Sequence, residues 1–162
     1  MKGLAAIAAA IAILALAAGC GGGGSSSSSS SATSGDSTNA SASGDDATAA
    51  ANEACAAANR EIASLSIPDS EAAVLEYLEQ TEATVEQLQR EVAGVDGSSG
   101  IAEYSEALAT AVTVLNEMAN AARSRNPDGV RELSRGLERL HVGKVAAAAG
   151  LETCSEAPEV ES

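Results

Sequence analysis

The sequence contains no tryptophan and no phenylalanine, and it has only two tyrosines. A cage of aromatic rings around a ligand is therefore excluded. Positive charge is also scarce, because 9 lysines and arginines face 23 aspartates and glutamates, which leaves a formal net charge of -14 at pH 7. An acidic chain is repelled by nucleic-acid phosphates, so neither DNA nor RNA is an expected partner.

Residues suited to catalysis or metal binding are equally scarce. His141 is the only histidine, and no Gly-x-Ser-x-Gly turn is present to carry a nucleophile. Glu138 and His141 match Glu-x-x-His, the spacing used by di-iron helical bundles, but such a site needs a second copy of the motif and two further glutamates. We therefore expect no enzyme, no metal site and no cofactor, with His141 at a helix edge.

The N-terminus begins with Lys2 and an uncharged apolar run over Leu4–Ala18. A run of this length fits the core of a secretory signal better than a membrane span, which needs about 20 apolar residues. Small residues at 17–19 precede Cys20. This junction resembles the lipobox of bacterial lipoproteins, which implies removal of residues 1–19 and a diacylglycerol on Cys20. Two alternatives stay open: cleavage after Ala17, which would release a secreted protein, and an uncleaved anchor.

The segment after Cys20 is poor in side chains that could form a core. Gly21–Gly24 is followed by Ser25–Ser31 and by a mixture of Ser, Thr, Gly and Asp. Such a composition predicts a disordered linker over residues 20–46, in which Gly21–Asp45 has a root-mean-square span of about 25 to 30 Å. The predicted linker would hold the domain at 47–162 away from a bilayer.

Two long segments of this domain show apolar or near-apolar residues at alternating spacings of three and four, the pattern of a helix with one buried stripe. The stripe of the first segment, Asp69–Gly94, consists of Val74, Leu78, Thr81, Val85, Leu88 and Val92. The stripe of the second consists of Ile101, Tyr104, Leu108, Ala111, Leu115, Met118 and Ala122. Gly94–Gly100 is the predicted turn between them, with Ser98 or Ser99 as the N-cap of the second helix.

Two shorter patterns flank this pair. The earlier one, which Pro68 ends, has Cys55, Ala58, Ile62 and Leu65 on one face. The later one starts after Asn126, ends at Gly150 and turns Val130, Leu133, Leu137 and Leu140 inward, although Gly136 and Gly143 weaken its continuity. Short connections between four helices predict an all-α, antiparallel up-down-up-down four-helix bundle.

Arg131, Arg135 and Arg139 recur at every fourth position and so form a ridge on the last predicted helix. One interpretation is ion pairing across to helix three or helix one. The other is a docking ridge for anionic headgroups, a wall polymer or an acidic partner. The candidate glutamates for pairing are Glu103, Glu106, Glu117, Glu53 and Glu61.

The whole arrangement resembles small helical lipoproteins of high-GC Gram-positive bacteria, in which a lipobox cysteine precedes a low-complexity spacer and an Ala-rich bundle. The resemblance implies export and a lipid anchor on the outer face of the cell membrane. With Cys20 lipidated, Cys55 and Cys154 remain as an even pair in a disulfide-permissive compartment, and we expect a bond between them. Because Cys55 lies well inside its helix, either residues 151–154 fold back along that helix or the last helix ends early, near Gly143.

The predicted function is a membrane-tethered, non-enzymatic interaction module of the cell envelope. Its expected partners are the membrane, through the N-terminal lipid, and an envelope protein or an anionic polymer. The alternative function is a small-molecule carrier or sensor with an apolar slot between its helices. A slot lined by Val, Leu and Tyr104 would favour the alternative, and a solid Ala/Leu core would count against it.

Overall fold

The computed structural model describes residues 44–156, so the predicted signal peptide, Cys20 and the linker up to residue 43 lie outside the described residues. The all-α prediction is confirmed, because every regular element within residues 44–156 is a helix. None of these helices is both long and apolar enough to cross a bilayer. The helices are α1 Gly44–Ser64, α2 Glu71–Ala93, α3 Ser99–Arg123, α4 Pro127–Arg139, α5 Val142–Ala148 and α6 Glu152–Ser155.

The helix α1 begins at Gly44, earlier than the predicted boundary between linker and domain at residue 47. Ala47 is buried, and the Thr48 hydroxyl donates a hydrogen bond of 2.9 Å to the Gly44 carbonyl. Asp45 and Asp46 occupy the first turn, where negative charge stabilises the helix dipole. These local interactions extend the helix into residues whose composition alone predicted disorder.

The helices α2 and α3 form an antiparallel hairpin. The Ser70 side chain caps α2 by accepting a hydrogen bond of 3.2 Å from the Ala73 amide. Ser98 is the N-cap residue of α3 but its side chain makes no capping hydrogen bond. Cross-helix hydrogen bonds pair early residues of one helix with late residues of the other: Gln89 with Ser105, Asn116 with Glu82, and Arg123 with Glu79.

The predicted stripes of α2 and α3 form the helix interface. All the predicted α3 positions are buried except Ala122, which is half-buried, and in α2 only Val85 is half-buried. Thr84 is buried as well, which the apolar pattern did not predict. Its hydroxyl donates to the Gln80 carbonyl at 3.0 Å, so this polar group is satisfied inside the core.

The core consists of two clusters at opposite ends of the α2–α3 hairpin. The disulfide-end cluster joins α1, the second half of α2, the first half of α3, α5 and Leu151. The α4-end cluster joins the first half of α2, the second half of α3 and α4. The first and last parts of the domain therefore share one end of the hairpin, and α4 covers the other.

The prediction of one continuous last helix is wrong. The helix α4 ends at Arg139, and His141 adopts the left-handed conformation with φ 49° before α5 begins at Val142. Gly150 follows α5 with φ 75°, in agreement with its predicted role as a left-handed residue at a helix end. The break divides the segment into α4 and α5, which pack against different ends of the hairpin.

Two glycines permit close approach around α5. A Cβ atom at Gly100 would lie 3.0 Å from the Cα atom of Ala149, and one at Gly143 would lie 3.3 Å from the Ser155 carbonyl oxygen. Gly143, which weakened the sequence prediction of a helix, therefore lets α6 fold back onto α5.

This fold-back brings Cys154 to Cys55, and the expected disulfide is present with a Cα–Cα distance of 5.1 Å. The two routes that the sequence left open for bringing Cys154 to Cys55 occur together. The last predicted helix ends early, at Arg139, and residues 152–155 form α6, which folds back against α1. Asn52 accepts a hydrogen bond of 3.0 Å from the Thr153 amide, and the Asn59 side chain donates one of 3.2 Å to the Thr153 carbonyl.

Candidate functional site

The outward face of α4 is the candidate docking surface. Asn126 starts the helix by accepting a hydrogen bond of 3.0 Å from the Gly129 amide, and Pro127 occupies a first-turn position where its missing N–H costs nothing. Val130 and Leu137 are buried in the α4-end cluster. Burial of this stripe fixes which side of α4 faces solvent.

The ridge is formed by Arg131, Arg135 and Arg139, which follow one another at about 6 Å along the helix axis. Together with Asp128 and Glu132 they line an open depression of about 540 Å³. The three arginines therefore share one face of α4, the arrangement that their spacing predicts. The depression holds more positive than negative side chains, in contrast to the acidic chain as a whole.

The ridge is only partly neutralised. Arg131 pairs with Asp128 within α4. Arg135 and Arg139 are exposed and form no ion pair with any carboxylate of residues 44–156. Ion pairs in the described part of the chain include Arg90 with Glu86, Arg123 with Glu79, and Arg131 with Asp128.

The expected cross-helix pairing of the ridge is thus not formed among the described residues. For four of the five candidate glutamates the position of α4 accounts for this, because α4 packs against the second half of α3. Glu103 and Glu106 lie on the first half of α3, whereas Glu117 lies on the second half and still forms no ion pair within residues 44–156. The helix α1, which carries Glu53 and Glu61, belongs to the disulfide-end cluster. Two arginines of the ridge, Arg135 and Arg139, therefore have guanidinium groups that no carboxylate of residues 44–156 pairs with.

The Glu-x-x-His motif does not lie on one helix, since Glu138 belongs to α4 and His141 follows its end. His141 is exposed, and its Nδ1 lies 2.8 Å from the Arg139 carbonyl oxygen, where it satisfies a backbone group at the helix break. No group of three or more His, Cys, Asp or Glu side chains in residues 44–156 is arranged to hold a metal ion.

Tyr104 does not line a slot. It is 2% exposed and belongs to the disulfide-end cluster, with its hydroxyl oxygen 3.4 Å from the Cys55 sulfur. Burial raises the pKa of Tyr104 far above its usual value, so the hydroxyl stays neutral. The side chain whose place in a slot would have favoured the carrier alternative is part of the packing around the disulfide.

A second concave site lies at the α4 end of the hairpin, away from Tyr104 and the disulfide. It is formed by the start of α2, the end of α3 and the start of α4. Its volume is about 360 Å³. The sequence pattern gave no signal for it, because its walls come from three separate segments that only the tertiary fold brings together. It is lined by Glu71, Ala72, Val74, Leu75, Ala122, Arg123, Arg125, Asn126, Pro127 and Val130.

The fold defines this chain as an all-α domain closed by a disulfide between its first and last described helices. No protein-family model matches the sequence, and comparisons with curated proteins and with solved structures give no significant match.

Proposed function

We propose that this protein is a membrane-tethered, non-enzymatic interaction module of the cell envelope, exported and held on the outer face of the cell membrane by a lipid on Cys20. The lipobox-like junction, the short apolar run before it and the Gly/Ser-rich segment after it support the anchor and the tether.

The observation that carries the proposal is the Cys55–Cys154 disulfide. Structural disulfides persist in exported proteins and are rare where cytosolic thiols are kept reduced. The bond uses two of the three cysteines in the chain and leaves Cys20 as the remaining one. A single cysteine set apart at the end of an apolar run is what attachment of a lipid requires.

The proposal includes the up-down-up-down order of the long helices α1 to α4. Short connections and the successive packing of α1 on α2, α2 on α3 and α3 on α4 support this order. The helix α5 occupies part of the fourth position at the disulfide end, where it packs on α3.

The docking surface in this proposal is the ridge, and its partner is an anionic polymer. Arg135 and Arg139 have guanidinium groups available for bidentate contacts with phosphate or carboxylate. A broad acidic surface would be repelled by the net charge of -14. A narrow, linear polyanion can contact the arginines of the ridge without lying over the carboxylates on either side. Charge and shape therefore favour an anionic polymer over a folded acidic protein as the partner.

The anchor is tested by Cys20→Ala. We expect the variant to leave the membrane fraction and to appear in the soluble exported fraction, because the mature chain loses its only lipid attachment site. Immunoblotting of fractionated cells measures the shift against the wild type. Retention of the variant in membranes to the same extent as the wild type, with residues 1–19 shown by intact mass to be removed, would show that the anchor is not a lipid on this cysteine.

The docking surface is tested by the double substitution Arg135→Gln and Arg139→Gln. Using linear polyphosphate as the probe, we expect an affinity loss of about tenfold at low salt and a weaker salt dependence, because fewer counterions are released on binding. The matched control is Arg60→Gln with Arg90→Gln, which changes the net charge equally on the exposed faces of α1 and α2.

An equal loss in the ridge variant and in the control would contradict the ridge as a specific surface. If polyphosphate does not bind at all, the polymer is excluded. Crosslinking in intact cells that repeatedly captures one envelope protein through Arg135 or Arg139 would then assign the ridge to a protein partner.

A second candidate function, a small-molecule carrier or sensor, is favoured by the concave site at the α4 end of the hairpin and not by Tyr104. Its volume of about 360 Å³ lies within the range of small-molecule sites.

A further inference from the structure

The concave site at the α4 end, called here the end slot, combines an apolar wall with charged groups at its rim. Val74 and Val130 are 9% and 5% exposed and belong to the α4-end cluster. Leu75 and Ala122 are half-buried and pack against the same cluster. The wall of the slot is therefore an extension of the core that stays partly accessible, and an apolar group placed there would be removed from water.

The rim of the end slot carries two arginines in different electrostatic states. The Arg123 guanidinium donates to the carboxylate of Glu79 and to the side-chain oxygen of Asn120, each at 2.7 Å. Its charge is thus already compensated. Arg125 is exposed and makes no side-chain hydrogen bond and no ion pair within residues 44–156. It is the cation of the rim that remains available to a ligand.

The backbone at Arg125 is strained. Its φ of 54° is left-handed, and hydrogen bonds of 2.9 Å from the Arg125 amide to the Ala122 carbonyl and from the Asn126 amide to the Ala121 carbonyl close the end of α3. Glycine is the usual residue in this helix-ending motif, because a Cβ atom makes the conformation unfavourable. Arginine is therefore present at a cost in stability.

His141 provides an internal comparison. It is the other non-glycine residue of residues 44–156 with a positive φ, and it also follows a helix end. The His141 side chain contacts the Arg139 carbonyl through Nδ1 at 2.8 Å, which offsets part of the strain. The Arg125 side chain has no such contact in the described part of the chain. The strained backbone at Arg125 is thus not offset by a contact of its own side chain, and Arg125 lines a cavity. This combination points to a role for the Arg125 side chain.

We infer that the end slot binds a small organic monocarboxylate with an apolar tail. In this site the Arg125 guanidinium holds the carboxylate, and the wall at Val74, Leu75 and Val130 receives the tail. Glu71 at the rim disfavours a ligand with a second negative charge. The end slot shares no lining residue with the ridge, so this inference does not depend on polymer binding there.

The test uses the mature chain from residue 20 onward with Cys20→Ala in every sample, so that neither lipid nor detergent competes for the slot. Hexanoate is titrated into the protein and followed by NMR chemical shifts. We expect saturable binding, with the largest shifts at residues around the end slot, and much weaker binding of 1-hexanol, which lacks the carboxylate. From butyrate to hexanoate the affinity should rise by about fourfold for each added methylene.

The diagnostic variant is Arg125→Gly, with His141→Gly as its matched control. Both relieve a left-handed backbone, so Arg125→Gly should raise the midpoint of thermal unfolding, and His141→Gly should raise it less because it also loses the contact with the Arg139 carbonyl. Hexanoate affinity should fall at least tenfold in Arg125→Gly and in Arg125→Gln, and it should stay within twofold of the parent in His141→Gly. Absence of saturable hexanoate binding in the parent protein would overturn the inference. Equal binding of hexanoate and 1-hexanol, or unchanged affinity in Arg125→Gly, would overturn it as well.

Discussion

Removal of the Cys55–Cys154 disulfide is expected to lower the free energy of unfolding by about 3 to 5 kcal/mol, because the bond closes a loop with a sequence separation of 99 residues. In the chain-entropy description, a loop of this size greatly restricts the unfolded chain. The double variant Cys55→Ala with Cys154→Ser is compared with the wild type by urea unfolding at neutral pH. The bond links α6 to α1. Without it, we expect α6 to detach from α1 at a lower urea concentration than the rest of the domain unfolds.

Reduction of the wild type supplies the matched control, since it breaks the same bond without changing the volume of the buried Cys55 side chain. The reduced protein should show a similar loss of stability. A loss confined to the double variant would assign the effect to packing around Tyr104. A loss below about 1 kcal/mol in both samples would contradict a main structural role for the bond.

The second large effect is expected for Leu151→Ala, with a loss of about 2 to 5 kcal/mol in the free energy of unfolding. Leu151 is 0% exposed and belongs to the disulfide-end cluster. Its amide donates a hydrogen bond of 2.9 Å to the Ala146 carbonyl, which fixes the turn at Gly150. Truncation leaves a cavity in the disulfide-end cluster while the disulfide stays intact. Urea unfolding under oxidising conditions measures the loss.

Ile67→Ala is the matched control for this substitution, because Ile67 is 53% exposed in the connection between α1 and α2. Its truncation should change the free energy of unfolding by less than about 0.5 kcal/mol. If Leu151→Ala is equally mild, the turn after α5 does not anchor the C-terminal segment, and the disulfide alone holds it.

The ridge and the end slot differ in how far the sequence predicts them. The four-residue spacing of Arg131, Arg135 and Arg139 places them on one face of any helix, so the ridge follows from the sequence. Which charges meet it depends on where α4 lies relative to α1 and α3, and the interpretation as pairing across helices is not met within residues 44–156. The end slot depends on three separate segments, and its signal, the left-handed Arg125, appears only in the backbone conformation.

What the sequence determined by itself is the part governed by local periodicity and chemistry. The buried stripes of α2 and α3 follow from the repeat of 3.6 residues per turn, and the start of α4 follows from Asn126 and Pro127. The pairing of Cys55 with Cys154 follows from the count of cysteines, because two remain when Cys20 is set aside. The tertiary structure decided the break at His141 and the return of α6 to Cys55. The physical reason is burial of apolar surface. When the last predicted helix breaks, its two halves, α4 and α5, bury apolar side chains at opposite ends of the hairpin, and this burial stabilises the broken form. A local sequence pattern carries no information about such long-range contacts.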